Sequence, residues 1–292
     1  MRNARSDHRL PTAPAHAARL RIYQATRSPT QMAGEWVETQ WGKTRVVGAL
    51  GQRHADVMDI IMRNYLQSFR EPDGRIKLLV DPYQVRRGMW TGQKRRRRSA
   101  RDHATTPLYS GAGLDDLIDG LRNADVEWEL KNGKRGGVAK VITEKDWAKA
   151  NAPDPLHGGQ RQLWCLTLSA PWVALLDTLG VWYDPRPIVQ MKNAVSQAVA
   201  RHVLTHNRDG WYSDGLPIDK VLDWLGIQAT GQRRRDARRR VVEDASGFAD
   251  YGLLISGGFI RRAGVAWMPG GVAQMPGGVA QMPGGVAQMP GQ

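Results

Sequence analysis

Cysteine is nearly absent from this chain of 292 residues, and so are long apolar runs: Cys165 stands alone, and no stretch approaches the length of a membrane span. A single cysteine excludes an intramolecular disulfide and a cysteine-based zinc site, and it fits a reducing compartment. A bilayer-spanning helix needs about 20 consecutive apolar residues, and a secretory signal needs an apolar segment that the N-terminus lacks. We therefore expect a cytoplasmic protein with no membrane partner.

Acidic residues are scarce as well. The 28 aspartates and glutamates are outnumbered by 42 lysines and arginines, which leaves a formal net charge of +14. A chain this basic favours a polyanionic partner, and nucleic acid is a better candidate than a membrane surface. Arginine supplies most of the excess, and its planar fork suits bidentate contact with phosphate and guanine, although a GC-rich coding bias would give the same excess.

Motifs for catalysis and metal binding are incomplete. Residues 42–44 read Gly-Lys-Thr, like the end of a phosphate-binding loop, but Val37 stands where that loop needs its first glycine. His202 and His206 are spaced to share a helical face, as zinc ligands would, but Val203 stands where the H-E-x-x-H motif needs a glutamate. We expect no enzymatic activity, no metal and no cofactor, and we expect the two histidines to pack between helices or to interact with a helix dipole.

The composition changes several times along the chain and predicts an α+β protein with two winged-helix domains in tandem. The predicted segments are a flexible basic arm (1–33), a first winged-helix domain (34–145), a Pro/Gly-rich linker (146–160), a second winged-helix domain that recognises DNA (161–263) and a disordered tail (264–292). The two domains share an order of elements and no obvious sequence identity.

In the first domain, a hairpin at 36–47 precedes a helix at 53–69, whose apolar residues recur at three- and four-residue spacing. The elements that follow are a strand at 76–80, a short helix at 82–89, a helix at 114–121 and a hairpin at 126–143. Helix, strand, short helix, helix and hairpin is the order of a winged helix, in which the hairpin is the wing.

Two charged segments stand out within this domain. The helix at 114–121 contains Asp115, Asp116 and Asp119, whose simplest interpretation is a solvated acidic face that makes the helix a poor candidate for entering DNA. The other segment is basic, and its candidate DNA-binding residues are Lys94, Arg95, Arg96, Arg97 and Arg98. Three interpretations of the basic segment stay open: a contact to DNA phosphates, a run like a nuclear localisation signal, or a solvated loop.

The most informative stretch lies in the second domain at 230–242, where six arginines fall within eight positions directly behind an amphipathic segment at 218–227. A short helix, a glycine turn and a second helix with most of the local positive charge are typical of a helix-turn-helix that binds DNA. Ala237, Val241 and Ala245 recur at a spacing of four and define the face of the second helix that packs on the core. The flanking elements are a strand at 162–168, helices at 172–179 and 187–206, and a hairpin at 251–262.

The last segment repeats every seven residues. Residues 264–270 are followed by three copies of Gly-Val-Ala-Gln-Met-Pro-Gly, and the two glycines and one proline in each copy exclude a helix or a coiled coil. Repeated codons would give a DNA repeat of about 21 bases, about two turns of B-DNA. The 3′ end of the gene is therefore a candidate array of the protein's own binding sites, and replication slippage in a dispensable tail is the alternative.

The segment from 218 to 262, with its arginine run and glycine-rich hairpin, resembles the iteron-binding plasmid replication initiators, a tandem winged-helix family, and within it the RepC-like initiators of broad-host-range plasmids. The resemblance implies a bacterial cytoplasmic protein that binds direct repeats of double-stranded DNA at an origin and promotes local melting. It also implies recruitment of a host replicative helicase or initiator, repression of its own gene, and homodimerisation through the first domain.

The resemblance also implies which residues bind DNA. Those that would meet the major groove and its phosphates are Gln232, Arg233, Arg234, Arg235, Arg238, Arg239 and Arg240, and on the wing Arg261 and Arg262 would reach the backbone or the minor groove. Because Ala237 and Val241 hold the helix on the core, not every arginine can face DNA. For Arg233, Arg234 and Arg240 the alternative is to bind phosphate only or to pack at the edge of the core.

Two other DNA-binding functions fit the same residues. One is a transcriptional repressor or partition-type protein without a replication role, which would use a single palindromic operator instead of clustered direct repeats. The other is a nucleoid-associated protein that binds by charge alone, weakly and without sequence preference, so that binding vanishes as salt is raised.

Overall fold

The computed structural model describes residues 10–89, 111–131, 133, 136–153, 160–206, 215–227 and 230–263. Helix and sheet are mixed in it, in agreement with the predicted α+β class. The candidate DNA-binding tract at 94–98 and the repetitive tail at 264–292 lie outside these residues, and the expectations for them stay predictions. No helix in the described part of the chain is long and apolar enough to span a bilayer.

The helices among these residues are α1 (Ala15–Arg19), α2 (Gln52–Asn64), α3 (Pro82–Gly88), α4 (Gly111–Asn123), α5 (Ala170–Thr178), α6 (Arg186–Gln190), α7 (Ala194–Leu204), α8 (Ile218–Trp224), α9 (Gly231–Glu243) and α10 (Ala245–Ala249). The strands are β1 (Ala13–Pro14), β2 (Met32–Ala33), β3 (Val37–Thr39), β4 (Gly42–Gly48), β5 (Gln67–Arg70), β6 (Ile76–Val80), β7 (Asp125–Leu130), β8 (Gly136–Ala139), β9 (Ile142–Pro153), β10 (Gln160–Leu168), β11 (Gly180–Val181), β12 (Leu216–Pro217), β13 (Leu253–Ser256) and β14 (Phe259–Arg262). These elements surround two apolar cores. We call β1 to α5 the first unit and α6 to β14 the second unit.

The first unit holds the larger core, between α1–α5 and two antiparallel sheets. One sheet has the order β5-β6-β10-β9; the other has the order β2-β4-β7-β8, with β3 paired to β4. Strand β6 shows why the sheet forms there, because Ile76, Leu78 and Val80 alternate along it and are buried on one face. The predicted hairpin at 36–47 is confirmed as β3–β4, and the turn predicted before residue 138 connects β7 to β8.

Residues 10–33 are not the flexible arm that the sequence predicts. Strand β1 pairs with β11, α1 packs on α7, and Leu20 and Ile22 are fully buried in the first core. The apolar pattern gives little warning because α1 has only five residues, too few for a helical period to repeat.

The predicted linker at 146–160 is also wrong, because it falls in a β-hairpin. Strand β10 pairs with β9 on one side and with β6 on the other, where Trp164 lies opposite Val80 and Leu168 opposite Ile76. Residues 160–168 therefore complete a sheet of the first unit and do not begin the second. Pro153, one of the residues that suggest a linker, ends β9 opposite Gln160 of β10.

Two predicted helices are shorter in the structure. Helix α2 ends at Asn64, and the chain continues as β5 because the Leu66 backbone N–H donates to Leu79 and the strand then pairs with β6. The helix predicted at 187–206 is divided into α6 and α7. The division occurs where the backbone N–H groups of Lys192 and Asn193 donate to the Asp244 carboxylate at 2.8 and 2.9 Å.

The two units are joined by a buried polar cluster, the junction network of Gln52, Asp56, Asp59, Tyr183 and Arg201. Arg201 on α7 donates to Asp56 at 2.6 Å, to Asp59 at 2.8 Å and to Gln52 at 2.8 Å, all on α2. The Tyr183 hydroxyl donates to Asp59 at 2.8 Å. Because a buried charge is costly unless it is paired and hydrogen-bonded, this network fixes α7 against α2.

A second contact between the units is an aromatic cluster of Trp41, His202, His206 and Trp224. The His202 ring lies 5.0 Å from Trp41, and the His206 ring stacks on Trp224 at 5.4 Å. The histidines thus pack between elements, as the sequence predicts. Among the described residues, no group of three or more His, Cys, Asp and Glu is arranged to hold a metal ion.

Because of these two histidines, we expect the folded protein to lose stability in weak acid. Burial lowers the pKa of His202 to about 3 and of His206 to about 4, whereas an unfolded chain protonates histidine near 6.5. The neutral rings therefore contribute stability that is complete above about pH 6.5 and is lost as the pH falls towards 4. Urea unfolding between pH 7.5 and 4.5 measures this loss, and His202→Phe with His206→Phe should reduce its slope. An unchanged slope in the double variant would contradict the assignment.

Candidate nucleic-acid interface

Helices α8 and α9 are joined by a glycine turn, in agreement with the helix pair predicted at 218–242. Val221 and Leu222 anchor α8 in the second core. Gly226 ends α8 with a φ of +73°, a conformation that favours glycine, while the Ile227 N–H donates to the Leu222 carbonyl at 2.9 Å. Helix α9 then packs against α8.

Ala237 and Val241 attach α9 to the core, and both are buried as the sequence predicts. Ala245, the third residue of the predicted stripe, belongs instead to α10, because α9 ends at Glu243. Asp244 separates the two helices, and its carboxylate is held by the backbone of Lys192 and Asn193. Two turns of α9, instead of three, therefore rest on the core through this stripe.

The Arg234 side chain holds α9 against α8 and the turn, and we call this its scaffold role. Its side chain is 13% exposed and forms ion pairs with Asp219 at 2.8 Å and Asp223 at 2.9 Å, both on α8. It also donates to the Ile227 carbonyl at 2.8 Å. Of the two alternatives that the sequence leaves open for Arg234, the structure favours packing at the core edge, because its donors already bind α8 and the turn.

Asp219 also binds Arg238, which lies one turn after Arg234. The Arg238 guanidinium donates to both carboxylate oxygens, with 2.5 Å between Nε and Oδ1. The hydrogen bond from Arg238, followed by the one from Arg234, lowers the pKa of Asp219, and Asp219 in turn raises the pKa of Arg238. Arg238 remains about half exposed, so it can still reach a phosphate at the rim of the helix pair.

The scaffold role of Arg234 gives a direct prediction. Arg234→Ala should lower the free energy of unfolding by about 2 kcal/mol, because it removes a largely buried guanidinium that donates to the Ile227 and Asp219 carbonyls and pairs with Asp223, whereas the Asp219 carboxylate keeps Arg238. Arg233→Ala is the matched control, since Arg233 is exposed and its loss should cost less than about 0.5 kcal/mol. Urea denaturation of both variants measures the difference. Equal stability of the two variants would contradict this role.

The outward face of α9 holds a connected set of polar side chains. Arg235 donates to Gln232, Gln232 donates to Asp236, and Arg239 forms an ion pair with Asp236 at 3.1 Å. Arg235 and Arg239 are exposed, and the Arg239 side chain is 67% exposed. The set lies opposite Ala237, so it faces the surroundings of the protein.

Arg233 and Arg240 flank this face and are exposed. The Arg240 carbonyl accepts from Ser196 at 2.9 Å, which positions its backbone against α7 while its side chain stays at the surface. Both side chains are available for phosphate contact, the first of the two alternatives for these positions.

The predicted hairpin at 251–262 is confirmed as β13–β14, and β12 adds a third strand in the order β12-β14-β13. Gly257 and Gly258 form its tip, with φ of +59° and +82°. Arg261 stacks over Phe259 at 5.5 Å, and Arg262 donates to the His206 carbonyl at 2.9 Å. Both arginines are exposed on the hairpin that follows α9 and α10.

The structure thus divides the arginines of α9 by what their side chains contact. Arg235 and Arg239 lie on the outward face with Gln232; Arg234 and Arg238 are bound to α8. The sequence analysis missed Asp219 and Asp236, which organise the two groups. The spacing of Asp236 from Gln232 and Arg239, four and three residues, was the available signal, because residues at those distances meet on a helix.

Comparison with solved structures finds a similar arrangement in domains 2 and 3 of RctB. The match has a TM-score of 0.52 and 12% sequence identity, and it covers 86% of this chain and 96% of that chain. At this identity the likeness establishes the fold alone. No protein-family model matches the sequence, and no curated protein matches it.

Proposed function

We propose that the second unit is a winged-helix DNA-binding domain, with α9 as the helix that enters the major groove. The order α7, β12, α8, α9, β13, β14, interrupted only by the five-residue α10 between α9 and β13, is that of a winged helix with β13–β14 as the wing. The observation that carries the proposal is the outward face of α9: it exposes Arg235 and Arg239 while Ala237 and Val241 anchor the opposite side. A basic helix held on its core and open to the surroundings supports groove binding better than a solvated charge run.

We further propose that the protein is a plasmid replication initiator that binds direct repeats at an origin. RctB, whose domains 2 and 3 share this fold, is a replication initiator, and the likeness covers most of both chains. The net charge of +14 supports a DNA partner. In this proposal the first unit is a second winged-helix domain that contacts another copy of the chain, and the bound protein opens the origin, recruits the host helicase and represses its own gene.

A plasmid test addresses the initiator role. The gene and its flanking DNA, cloned on a plasmid without another origin, should replicate autonomously in a bacterial host. A frameshift in the gene should abolish replication, and the intact gene supplied in trans should restore it. Failure of the intact gene to support replication, with the protein expressed and binding the flanking DNA, would refute the initiator role and favour the repressor alternative.

A footprint of the same flanking DNA separates the DNA-binding alternatives. Protection of several direct repeats is the result expected of an initiator, and protection of one palindrome is expected of a repressor. Uniform, salt-sensitive coverage would indicate binding by charge alone.

A further inference from the structure

We propose that Asp236 is a positioning residue for DNA specificity: it holds Arg239 directly, and Arg235 through Gln232, in a geometry prepared to read guanine. We call Gln232, Arg235, Asp236 and Arg239 the α9 ladder. The inference rests on the proposed DNA binding by α9 and adds which of its residues carry sequence information.

The ladder is a continuous series of hydrogen bonds, closed by one ion pair, over two turns of helix. Arg235 donates to Gln232 Oε1 from Nε at 3.1 Å and from Nη2 at 2.9 Å. Gln232 donates from Nε2 to Asp236 Oδ1 at 3.1 Å, and Arg239 Nη2 lies 3.1 Å from the same oxygen. A single carboxylate oxygen, Asp236 Oδ1, therefore binds Arg239 directly and Gln232, which in turn accepts from Arg235. Asp236 itself is half-buried against the helix.

This arrangement leaves guanidinium edges available. Arg235 uses Nε and Nη2 with Gln232, and Arg239 uses Nη2 with Asp236 and Nε with Glu243 at 3.6 Å. A guanidinium has five donors, so donors remain for the O6 and N7 atoms of guanine. Arginine side chains lose about 2 kcal/mol of rotamer entropy when they are fixed, and a pre-formed ladder bears part of that cost before DNA binds.

The spacing along α9 also fits base readout. Arg235 and Arg239 are four residues apart, about 6 Å along the helix axis at 1.5 Å per residue. Two base-pair steps of B-DNA span about 7 Å. We therefore expect the preferred sites to contain two guanines about two steps apart, with both arginines needed for full discrimination.

The ladder and simple electrostatics predict opposite changes in the affinity for the preferred duplex when Asp236 is removed. A carboxylate on a DNA-facing helix repels phosphate, so Asp236→Ala should raise the affinity for every duplex if charge alone matters. If Asp236 positions the ladder, affinity for the preferred sequence falls relative to random DNA. The ratio of the two affinities therefore distinguishes a positioning role from a general charge effect.

The test begins with selection of preferred duplexes from a randomised double-stranded library by the full chain. Fluorescence anisotropy then compares the selected duplex with a random duplex at one salt concentration. Asp236→Ala should lower the specific-to-random affinity ratio at least about 5-fold, the lower end for loss of one bidentate base contact, with random-duplex affinity equal or higher. Asp250→Ala removes the same charge from an exposed site outside α9 and should leave the ratio unchanged.

A second variant and a modified base guard against a folding artefact. Arg239→Lys keeps the charge but loses the fork, and it should lower the ratio as Asp236→Ala does. Replacement of one guanine at a time by 7-deazaguanine removes one N7 acceptor. Replacement of either guanine should weaken the unaltered protein, whereas Arg239→Lys should be weakened at one guanine only, the one that Arg235 reads.

The remaining outcomes would contradict either the ladder or the proposed function. An unchanged ratio in Asp236→Ala, or a library that yields no preferred sequence although duplexes are bound, would overturn the ladder and leave DNA binding by the second unit standing. Failure of the full chain to bind any duplex would overturn the proposed function itself.

Discussion

Replacement of Arg235 and Arg239 by alanine should abolish preferential binding to the selected DNA while the protein stays folded. Both side chains are exposed, and neither contributes to the second core. Loss of each bidentate base contact costs about 1–3 kcal/mol, so each substitution should weaken specific binding about 5- to 150-fold. Alanine favours helix, so α9 itself should be retained. Anisotropy with selected and random duplexes measures the effect, and urea unfolding checks the fold.

The matched control is the double substitution Arg63→Ala with Arg87→Ala. It removes the same charge from exposed positions on α2 and α3 of the first unit. General electrostatics predicts similar losses for the two double variants, with a salt dependence that falls by the same amount. If they lose equal affinity and specificity, α9 has no privileged role, and the assignment of the groove-reading helix is wrong.

Replacement of Arg201 by methionine should destabilise the protein by about 3–5 kcal/mol, because it leaves Asp56 and Asp59 buried without their cation. The Arg201 side chain is 7% exposed and those of both aspartates are 5% exposed, so water cannot compensate. Urea unfolding at pH 7.5 measures the loss. The effect should appear as one cooperative transition shared by both units, since the network joins α2 to α7.

The triple variant Arg201→Met, Asp56→Asn, Asp59→Asn is the control for this prediction. Removal of all the charges should recover most of the loss, because an unpaired buried charge costs more than a neutral, packed replacement. A triple variant as unstable as Arg201→Met would show that packing, and not charge, is what Arg201 provides.

The pH dependence of Arg201→Met gives an independent check. Burial already raises the pKa of Asp59 to about 6 against the attraction of Arg201, and loss of the arginine should raise it further. The folded variant then takes up a proton at Asp59 at a higher pH than the folded unaltered protein does, so its stability deficit should be largest at high pH and shrink as the pH falls towards about 6, below which Asp59 is protonated in both proteins. The deficit is taken relative to the unaltered protein, so the histidine effect cancels.

The junction network bears on the proposed initiator as well as on stability. It fixes α7, on which α9 packs, against α2 of the first unit. If both units contact DNA or a second copy of the chain, their relative orientation determines which sites can be bound together. Because the buried ion pairs fix this orientation, the plasmid and footprint experiments should use the full chain, with both units together.

Local patterns in the sequence were sufficient for the elements whose residues lie close together along the chain. The helix pair at 218–242 is readable because apolar spacing and a glycine turn are local signals, and the same holds for the hairpins β3–β4 and β13–β14. The short helix α3 is another case: Asp81 caps it by accepting from the Tyr83 N–H at 3.0 Å, with Pro82 at its first position.

The other elements depend on contacts with residues far away in the sequence. The N-terminal segment is ordered because β1 pairs with β11, some 167 positions later. Residues 146–153 of the predicted linker are part of a strand because β9 pairs with β10, which also pairs with β6. In the candidate site, residue type alone cannot separate Arg234 from Arg235; the packing of α9 on α8 brings one of them to Asp219 and turns the other outward. The sequence by itself therefore determined that a basic helix follows a turn, since charge and period are local, whereas only the tertiary structure decided which arginines are bound to α8 and which remain exposed.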